Sequence, residues 1–500
     1  MNLFKTKSIK INAIFNGIYQ ILSMLVPMIT APYVSRVLGP DNNGIYSYFY
    51  SIVTYFVLIA TFGFADYGIK AIAEVRDDKE KRSKTFFSIM INKLLLGALT
   101  IIAFFIFTFV LYSNDLNSLY IFLALSCFIF AAILDPTFYF QGQERFVSIS
   151  LRNITVRIVT TIFIFVLVKD INDLLIYSLV MGLGQLAATL IMYFSFGRKE
   201  LCFTKISFKE DILPSIKNSF SYFLPALAVT LFYSLNQTLL GLFGYEDAES
   251  GYFGQAAKII QILQLLAGSL SIISLSRMSY LFAKKDFNEI INKVKKIFSA
   301  FWPCVLPLVF GISAISYIFV PAFLGDEYFK SIYCVLIMAP AILFSPLNTL
   351  IGNIYFRPMN KIGLQTLIIF GASVANIIVC CCLIPFTQSI GASIGRTVAE
   401  FIQLPFLIFF SYKFINYKDV FMPSIKPLIS SVVMAAAVFL FIYFVNLNVW
   451  VEIVVAIIIG AALYYLLEMI FRDEFVVTTT KQVFALIKRP FIKNKKTDDL

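Results

Sequence analysis

Leu94-Leu-Leu-Gly-Ala-Leu-Thr-Ile-Ile-Ala-Phe-Phe-Ile-Phe-Thr-Phe-Val-Leu111 decides the fold class. The stretch carries no charge and is long enough to cross a bilayer as a helix. It does not alternate apolar and polar residues, as a strand of a membrane barrel would. Similar runs recur throughout the 500 residues, which are 59% hydrophobic and 14% charged. Mean hydropathy is +0.83. A soluble domain is about half apolar and a quarter charged. The chain therefore reads as an all-α, polytopic membrane protein.

Working outward from residues 94–111, fourteen spans are expected. They cover 11–33, 45–64, 86–111, 119–138, 153–168, 174–196, 218–241, 251–276, 298–322, 331–355, 363–385, 390–412, 427–446 and 449–471. Lys5, Lys7 and Lys10 precede the first apolar stretch as in a signal peptide, but no small-x-small cleavage site follows, so it reads as a retained first helix. With the N-terminus inside, all but seven of the 41 Lys and Arg fall in inner segments. Outer loops hold only Arg36, Lys169 and Lys330, and the rest lie within spans. This alternation follows the positive-inside rule and places both termini in the cytoplasm. The net charge of +12 is then a property of the inner face, matched by anionic headgroups rather than nucleic acid.

The intramembrane cations are Lys93, Arg157, Lys258 and Arg396. A charge at mid-helix raises the insertion free energy by about 2.5–3.5 kcal/mol, so such residues face protein or a watery cavity, or snorkel to the headgroups. Lys93 and Arg157 lie toward the inner leaflet, Lys258 and Arg396 toward the outer. Arg36 adds a cation at the outer end of the first span. Together they suggest an anionic substrate. Glu400, one turn beyond Arg396, is either a neutralising partner or an ion-coupling group. Asp66 and Asp135 read as interfacial. Asn12, Asn16, Gln20, Asn236, Gln237, Gln255, Gln261 and Gln264 either line a polar cavity or cross-link helices.

Ser8-Ile-Lys10 recurs as Ser215-Ile-Lys217, and Gly44-Ile-Tyr46 as Gly251-Tyr-Phe253, both 207 residues apart. Two six-span halves in parallel repeat are expected: residues 1–205 and 206–415, followed by a helix pair over 416–471 and a basic cytoplasmic tail over 472–500. Pro27, Pro32 and Pro225, in the equivalent first spans of the halves, are candidate gating bends. Asp286–Phe301 reads as an amphipathic interfacial helix and Ser207–Glu210 as a capping box. The chain lacks histidine, and its seven cysteines lack metal or redox spacing. No metal, cofactor or catalytic residue is expected, and no loop is long enough for a catalytic domain.

Leu25-Val-Pro-Met-Ile-Thr-Ala-Pro-Tyr-Val-Ser-Arg-Val-Leu-Gly39 followed by Gly44-Ile-Tyr-Ser47 resembles the N-terminal signature of bacterial Wzx-type polysaccharide repeat-unit flippases. These belong to the multidrug/oligosaccharidyl-lipid/polysaccharide (MOP) exporter superfamily. Phe62–Gly68, Phe138–Arg145 and Gly251–Lys258 resemble the same family. The resemblance implies a MATE-like pair of six-helix bundles with two added helices. It implies flipping of undecaprenyl-pyrophosphate-linked oligosaccharide from inner to outer leaflet by alternating access through a cationic cavity. A bacterial cytoplasmic (inner) membrane location is implied, for a chain working as a monomer beside glycosyltransferases and a polysaccharide polymerase. Alternatives are a MATE-like ion-coupled exporter, which the shortage of intramembrane acids disfavours, and a peptidoglycan-precursor flippase.

Overall fold

The computed structural model describes residues 9–197, 200–202, 204–244, 246–284, 287–445 and 447–482. Within its helices the side chains of 9–16, 18–21, 23, 24, 270, 272–277, 279, 280, 283, 287 and 288 are outside the description. Asn12, Asn16 and Gln20 are therefore outside it, as are the lysines of the tail beyond 482. Among the described residues there is no strand, and the helices are α1 (Ile9–Thr61), α2 (Phe64–Glu74), α3 (Lys79–Tyr112), α4 (Leu116–Leu134), α5 (Thr137–Gly142), α6 (Phe146–Leu167) and α7 (Leu174–Tyr193). There follow α8 (Leu213–Phe243), α9 (Asp247–Lys284), α10 (Phe287–Leu324), α11 (Phe329–Met338), α12 (Ala341–Ile351) and α13 (Ile362–Thr387). The last are α14 (Ser389–Ser411), α15 (Tyr417–Phe421), α16 (Ile425–Phe444) and α17 (Val449–Ile470). The chain forms two compact units, Met1–Gln255 with Ile369–Gly395, and Ala256–Ile368 with Arg396–Leu500.

Eleven described helices are long and apolar enough to cross a membrane, or up to twelve if the pair Asp326–Met338 and Ala341–Phe356, bent by 42°, is one span. That count does not reach the expected fourteen. The expected spans at 11–33 and 45–64 lie in the single helical stretch α1, interrupted only at Gly39 (φ 71°, ψ 175°). This backbone is open to glycine alone, and Pro40 pushes the residue before it out of the helical region. The change of direction therefore needs no loop, and Arg36 sits inside α1, exposed. Pro27, Pro32 and Pro225 lie within α1 and α8, away from that break. The expected span at 251–276 lies in α9, part of whose side chains are outside the description.

The opening stretch shows how a membrane helix is patterned. On α3, Leu95, Leu99, Ile102, Ile106 and Phe109 are exposed, a stripe at helical period. Ser88, Asn92, Lys93, Thr100 and Thr108 are buried. The polar face thus looks inward, the reverse of a soluble helix. In the first unit that interior is closed by aromatic contacts such as Phe49–Phe122, 4.1 Å between ring centroids, and Phe56–Phe104, 5.1 Å. Outside the spans, Asp78 caps α3 through the amides of Glu80 and Lys81, and Asp115 caps α4. The amide of Lys81 and the side chain of Ser118, respectively, hold these carboxyls below their usual range.

Two local expectations are revised. The amphipathic stripe of 286–301 does bury Ile290, Val294, Phe298 and Phe301. It runs without a break into α10, so the described part is no separate interfacial helix. The capping box expected at Ser207 does not form, since the Ser207 side chain makes no cap hydrogen bond. The turn Phe208–Ile212 is π-helical and wider, so Asp211 rather than Glu210 accepts the amide of Ser207, at 2.8 Å.

Gly44 and Gly251, 207 residues apart, lie at a close crossing in the first unit. A Cβ on Gly44 would come 1.8 Å from the Asp247 carbonyl oxygen and 3.0 Å from the Gly251 nitrogen. A Cβ on Gly251 would come 2.1 Å from the Pro40 carbonyl oxygen and 3.2 Å from the Gly44 nitrogen. The two glycines thus meet each other where α1 and α9 cross. Gly254 likewise faces Ser47, its counterpart at the same offset, at 3.1 Å. Gly44→Ala or Gly251→Ala should lower stability by about 1–3 kcal/mol. Gly371→Ala, with open space around it, should leave stability level or slightly raised. Thermal unfolding of the purified variants in detergent measures both; equal midpoints for all three would contradict the close crossing.

Candidate functional site

The site begins with a proline. Leu134-Asp135-Pro136-Thr137 cannot continue α4, because Pro136 has no amide hydrogen and biases Asp135 to extended backbone (φ −67°, ψ 114°). The helix stops within an apolar segment and resumes as α5. Its last carbonyls lose their intrahelical donors. Three side chains from neighbouring helices replace them. Thr189 Oγ1 donates to the Ala131 carbonyl at 3.3 Å, Tyr193 OH to that of Leu134 at 2.6 Å, and Lys93 Nζ to that of Asp135 at 2.6 Å. An ammonium at a helix C-terminus also meets the negative end of the macrodipole.

Asp135 itself forms an Asx turn. Its carboxylate accepts the Thr137 amide at 3.1 Å, with a further bond from Thr137 Oγ1, and Arg152 Nη1 lies 3.5 Å from it. Arg152 also donates to Thr137 Oγ1 at 3.1 Å and, through Nη2, to Asn153 Oδ1 at 2.8 Å. Asp135, expected at an interface, is thus part of the broken helix.

This break opens onto a cavity of about 470 Å³ inside the first unit. That lies within the range of about 300–1,000 Å³ of small-molecule sites. Tyr50, Thr54 and Thr61 line it from one stripe of α1. Lys93, Asp135, Gln141 and Gln185 supply the remaining polar wall with Thr137, and Phe128 and Phe138 supply apolar area. Lys93 is only 2% exposed, with Nζ 5.7 Å from the Phe138 ring centroid, so it does not snorkel. Arg157, on α6, is half-buried and is not among the lining residues.

The amides of this unit are cross-links. Asn236 donates to the Ala392 carbonyl at 2.8 Å and to Asn376 Oδ1 at 3.3 Å, and Asn376 returns a bond to Asn236 Oδ1 at 2.6 Å. Gln237 donates to the Ser250 carbonyl at 2.7 Å, and Gln255 to Asn43 Oδ1 at 2.9 Å. Asn43 in turn donates to the Gly39 carbonyl at 2.8 Å, closing the break in α1. Sequence reasoning passed over Asn43, although an asparagine following Gly39-Pro40 was a readable signal for a capped break.

Lys258, Arg396 and Glu400 belong to the second unit. Lys258 is half-buried on α9. Arg396 and Glu400 are buried one turn apart on α14, 5% and 2% exposed. Asn348 of α12 donates to the Glu400 carbonyl at 2.9 Å and approaches its Oε2 at 3.5 Å. Gln264 donates to the Ala341 carbonyl at 3.0 Å. Among the described residues no cluster of His, Cys, Asp and Glu is suited to a metal ion.

A family model described as polysaccharide biosynthesis protein matches residues 9–275. A putative O-antigen transporter of Escherichia coli (strain K12) is 22% identical over 413 residues, 81% of this chain and 96% of that protein. A probable low-salt glycan biosynthesis flippase, Agl15, of Haloferax volcanii is 21% identical over 446 residues, 88% of this chain and 91% of that protein. Of solved structures, lipid II flippase MurJ in an inward closed conformation matches with a TM-score of 0.71 at 17% identity, over 93% of this chain and 99% of that one. An inward-facing multidrug resistance MATE family transporter of the MOP superfamily matches with a TM-score of 0.60 at 13% identity, over 81% and 98%. The fold is therefore of the MurJ/MATE kind.

Lys93→Met keeps most of the side-chain length and removes the donor. It should lower stability by about 1.5–3 kcal/mol, the range for a lost charged hydrogen bond, and Lys93→Arg should recover part of it. Thermal unfolding reads this directly; an unchanged midpoint for Lys93→Met would mean the carbonyl does not need its cap.

Proposed function

The chain belongs to the polysaccharide biosynthesis protein family, and from that membership we propose that it is a flippase for lipid-linked oligosaccharide rather than an enzyme. The carrying observation is a buried cation, Lys93, on the wall of a polar cavity inside a membrane protein of this family. A phosphate-bearing headgroup needs such a partner when it leaves water, and Lys and Arg are the side chains that bind phosphate by charge-assisted hydrogen bonds. Relatives described as an O-antigen transporter and a glycan biosynthesis flippase, aligned over most of their lengths, support the same class.

In this reading the substrate is an undecaprenyl-pyrophosphate-linked repeat unit moved from the inner to the outer leaflet of a bacterial cytoplasmic membrane. The two six-helix halves, 1–205 and 206–415, alternate access, with Pro27, Pro32 and Pro225 absorbing part of the bending. Arg36, Lys93, Arg157, Lys258 and Arg396 meet the pyrophosphate at successive depths, and Glu400 answers Arg396 or a coupling ion. Both termini are cytoplasmic, and the monomer is the working unit beside glycosyltransferases and a polymerase.

Cells lacking the protein should accumulate lipid-linked repeat units on the inner leaflet, read by periodate or lectin access from outside. Unchanged leaflet distribution would remove the flippase reading. In proteoliposomes carrying a fluorescent lipid-linked oligosaccharide, Lys258→Ala and Arg396→Ala should each slow translocation about tenfold, the effect of losing roughly 1.4 kcal/mol. Wild-type rates in both would remove the cations from the path while leaving the substrate class standing.

A further inference from the structure

Lys93 accounts for one side of the cavity in the first unit. Much of the remaining wall is polar and uncharged. Among the described residues, the side-chain amides of Gln141 and Gln185 and the hydroxyl of Tyr50 face this cavity and make no hydrogen bond within the protein. The amides of Asn236, Gln237 and Gln255 in the same unit are all spent on cross-links. Each free amide brings two N–H donors and a carbonyl acceptor, and the phenol brings one donor and an acceptor. Thr54 and Thr61 donate to the carbonyls of Tyr50 and Val57 on their own helix, at 2.8 and 2.9 Å. Their oxygen lone pairs are left to accept.

The fold holds these groups at the cavity. Gly182, Gln185 and Thr189 share one face of α7. A Cβ on Gly182 would come 2.7 Å from the Ala124 carbonyl oxygen of α4, and Thr189 donates to the Ala131 carbonyl of the same helix at 3.3 Å. That face is therefore pressed onto α4, and Gln185, between the two contacts, is carried to the cavity wall with Phe128. Gln141 lies on α5, the helix that resumes after the Pro136 break. Tyr50 stacks on Tyr46 at 5.8 Å between centroids and meets Phe128 edge to face at 5.1 Å, while Tyr46 meets Tyr177 at 4.8 Å. This ladder of rings braces the two that line the cavity.

Mixed donors and acceptors beside aromatic area are the complement of a sugar ring. Every sugar hydroxyl both donates and accepts, and the C–H face of the ring suits the negative face of an aromatic ring. A phosphate group offers acceptors alone and would leave the threonine lone pairs and amide carbonyls unanswered. The charged side chains in the lining are Lys93 and Asp135, of opposite sign, so the wall is close to neutral. The volume of about 470 Å³ equals that of roughly sixteen waters, room for a single sugar ring or a linked pair and too little for a lipid headgroup with a whole oligosaccharide.

We propose that this cavity is a subsite for an uncharged hexopyranose ring of the transported lipid, with Gln141, Gln185 and Tyr50 as the residues that select it. The source of the sugar rests on the flippase reading; the binding of the sugar does not.

The full chain in nanodiscs is tested by saturation-transfer NMR with the methyl glycosides of glucose, galactose and mannose, and separately with inorganic pyrophosphate. Wild type should saturate the ring protons of at least one glycoside. Gln141→Leu, Gln185→Leu and Tyr50→Phe should each weaken that binding about two- to tenfold, the effect of one neutral hydrogen bond. None of the three side chains bonds to the protein, so their thermal midpoints should match wild type, and any one variant that folds decides the matter. In proteoliposomes the variants should slow translocation of a fluorescent lipid-linked oligosaccharide by a similar factor. Binding of no glycoside by wild type, binding of pyrophosphate alone, or undiminished glycoside binding in the variants would each overturn the subsite. Wild-type translocation by variants that have lost glycoside binding would overturn its part in transport. Glycoside binding that the variants lose, in a wild type that translocates no lipid, would overturn the flippase reading and leave the subsite standing.

Discussion

No backbone polar group can be left open to lipid, and the rest of this structure depends on that rule. A helix that runs unbroken through the apolar layer meets it by itself. One that stops inside, as α4 does at Asp135-Pro136, must borrow donors from its neighbours. Lys93 on α3 and Thr189 and Tyr193 on α7 provide them. The same event that breaks the helix makes room for the polar cavity beside it. Cavity, cation and break form one arrangement.

The second constraint is closeness of backbones. Apolar attraction between helices is weak in lipid, so contact area and small residues carry the packing. Gly44 and Gly251 allow α1 and α9 to cross at backbone distance, where a single methyl group would overlap a carbonyl oxygen. One permissive residue type serves both sides of the crossing. Asn43, Gln255 and Gln237 flank it with hydrogen bonds to neighbouring backbone or to each other.

Much of this was legible in the chain. Long uncharged runs specify spanning helices whatever surrounds them. Lys93 stood out because a charge beside such a run is costly unless something inside receives it. What receives it was not legible: the acceptor is a backbone carbonyl, present at every residue and exposed here only by Pro136. The way two expected spans join inside α1 was not legible for a related reason. At Gly39 the chain turns within one residue, which a reading built on polar loops between apolar runs takes for a loop. The choice between lining a cavity and cross-linking helices was open for Asn236 and Gln237, since an amide satisfies either. It closed only once Asn376, 140 residues away, was seen to return the bond.

Charge and neutral polarity are used for different ends in the first unit. The Asn236–Asn376 pair ties α8 to α13 with two uncharged groups that satisfy one another, so it carries little desolvation penalty. Two buried charges are placed where a helix end already offers the opposite sign. Lys93 lies at the C-terminal end of α4 and Glu249 at the start of α14. A helix end supplies about half a unit charge in fixed position, which compensates a side chain without requiring a second one of opposite sign. That explains how a unit so poor in intramembrane acids holds a buried lysine at all.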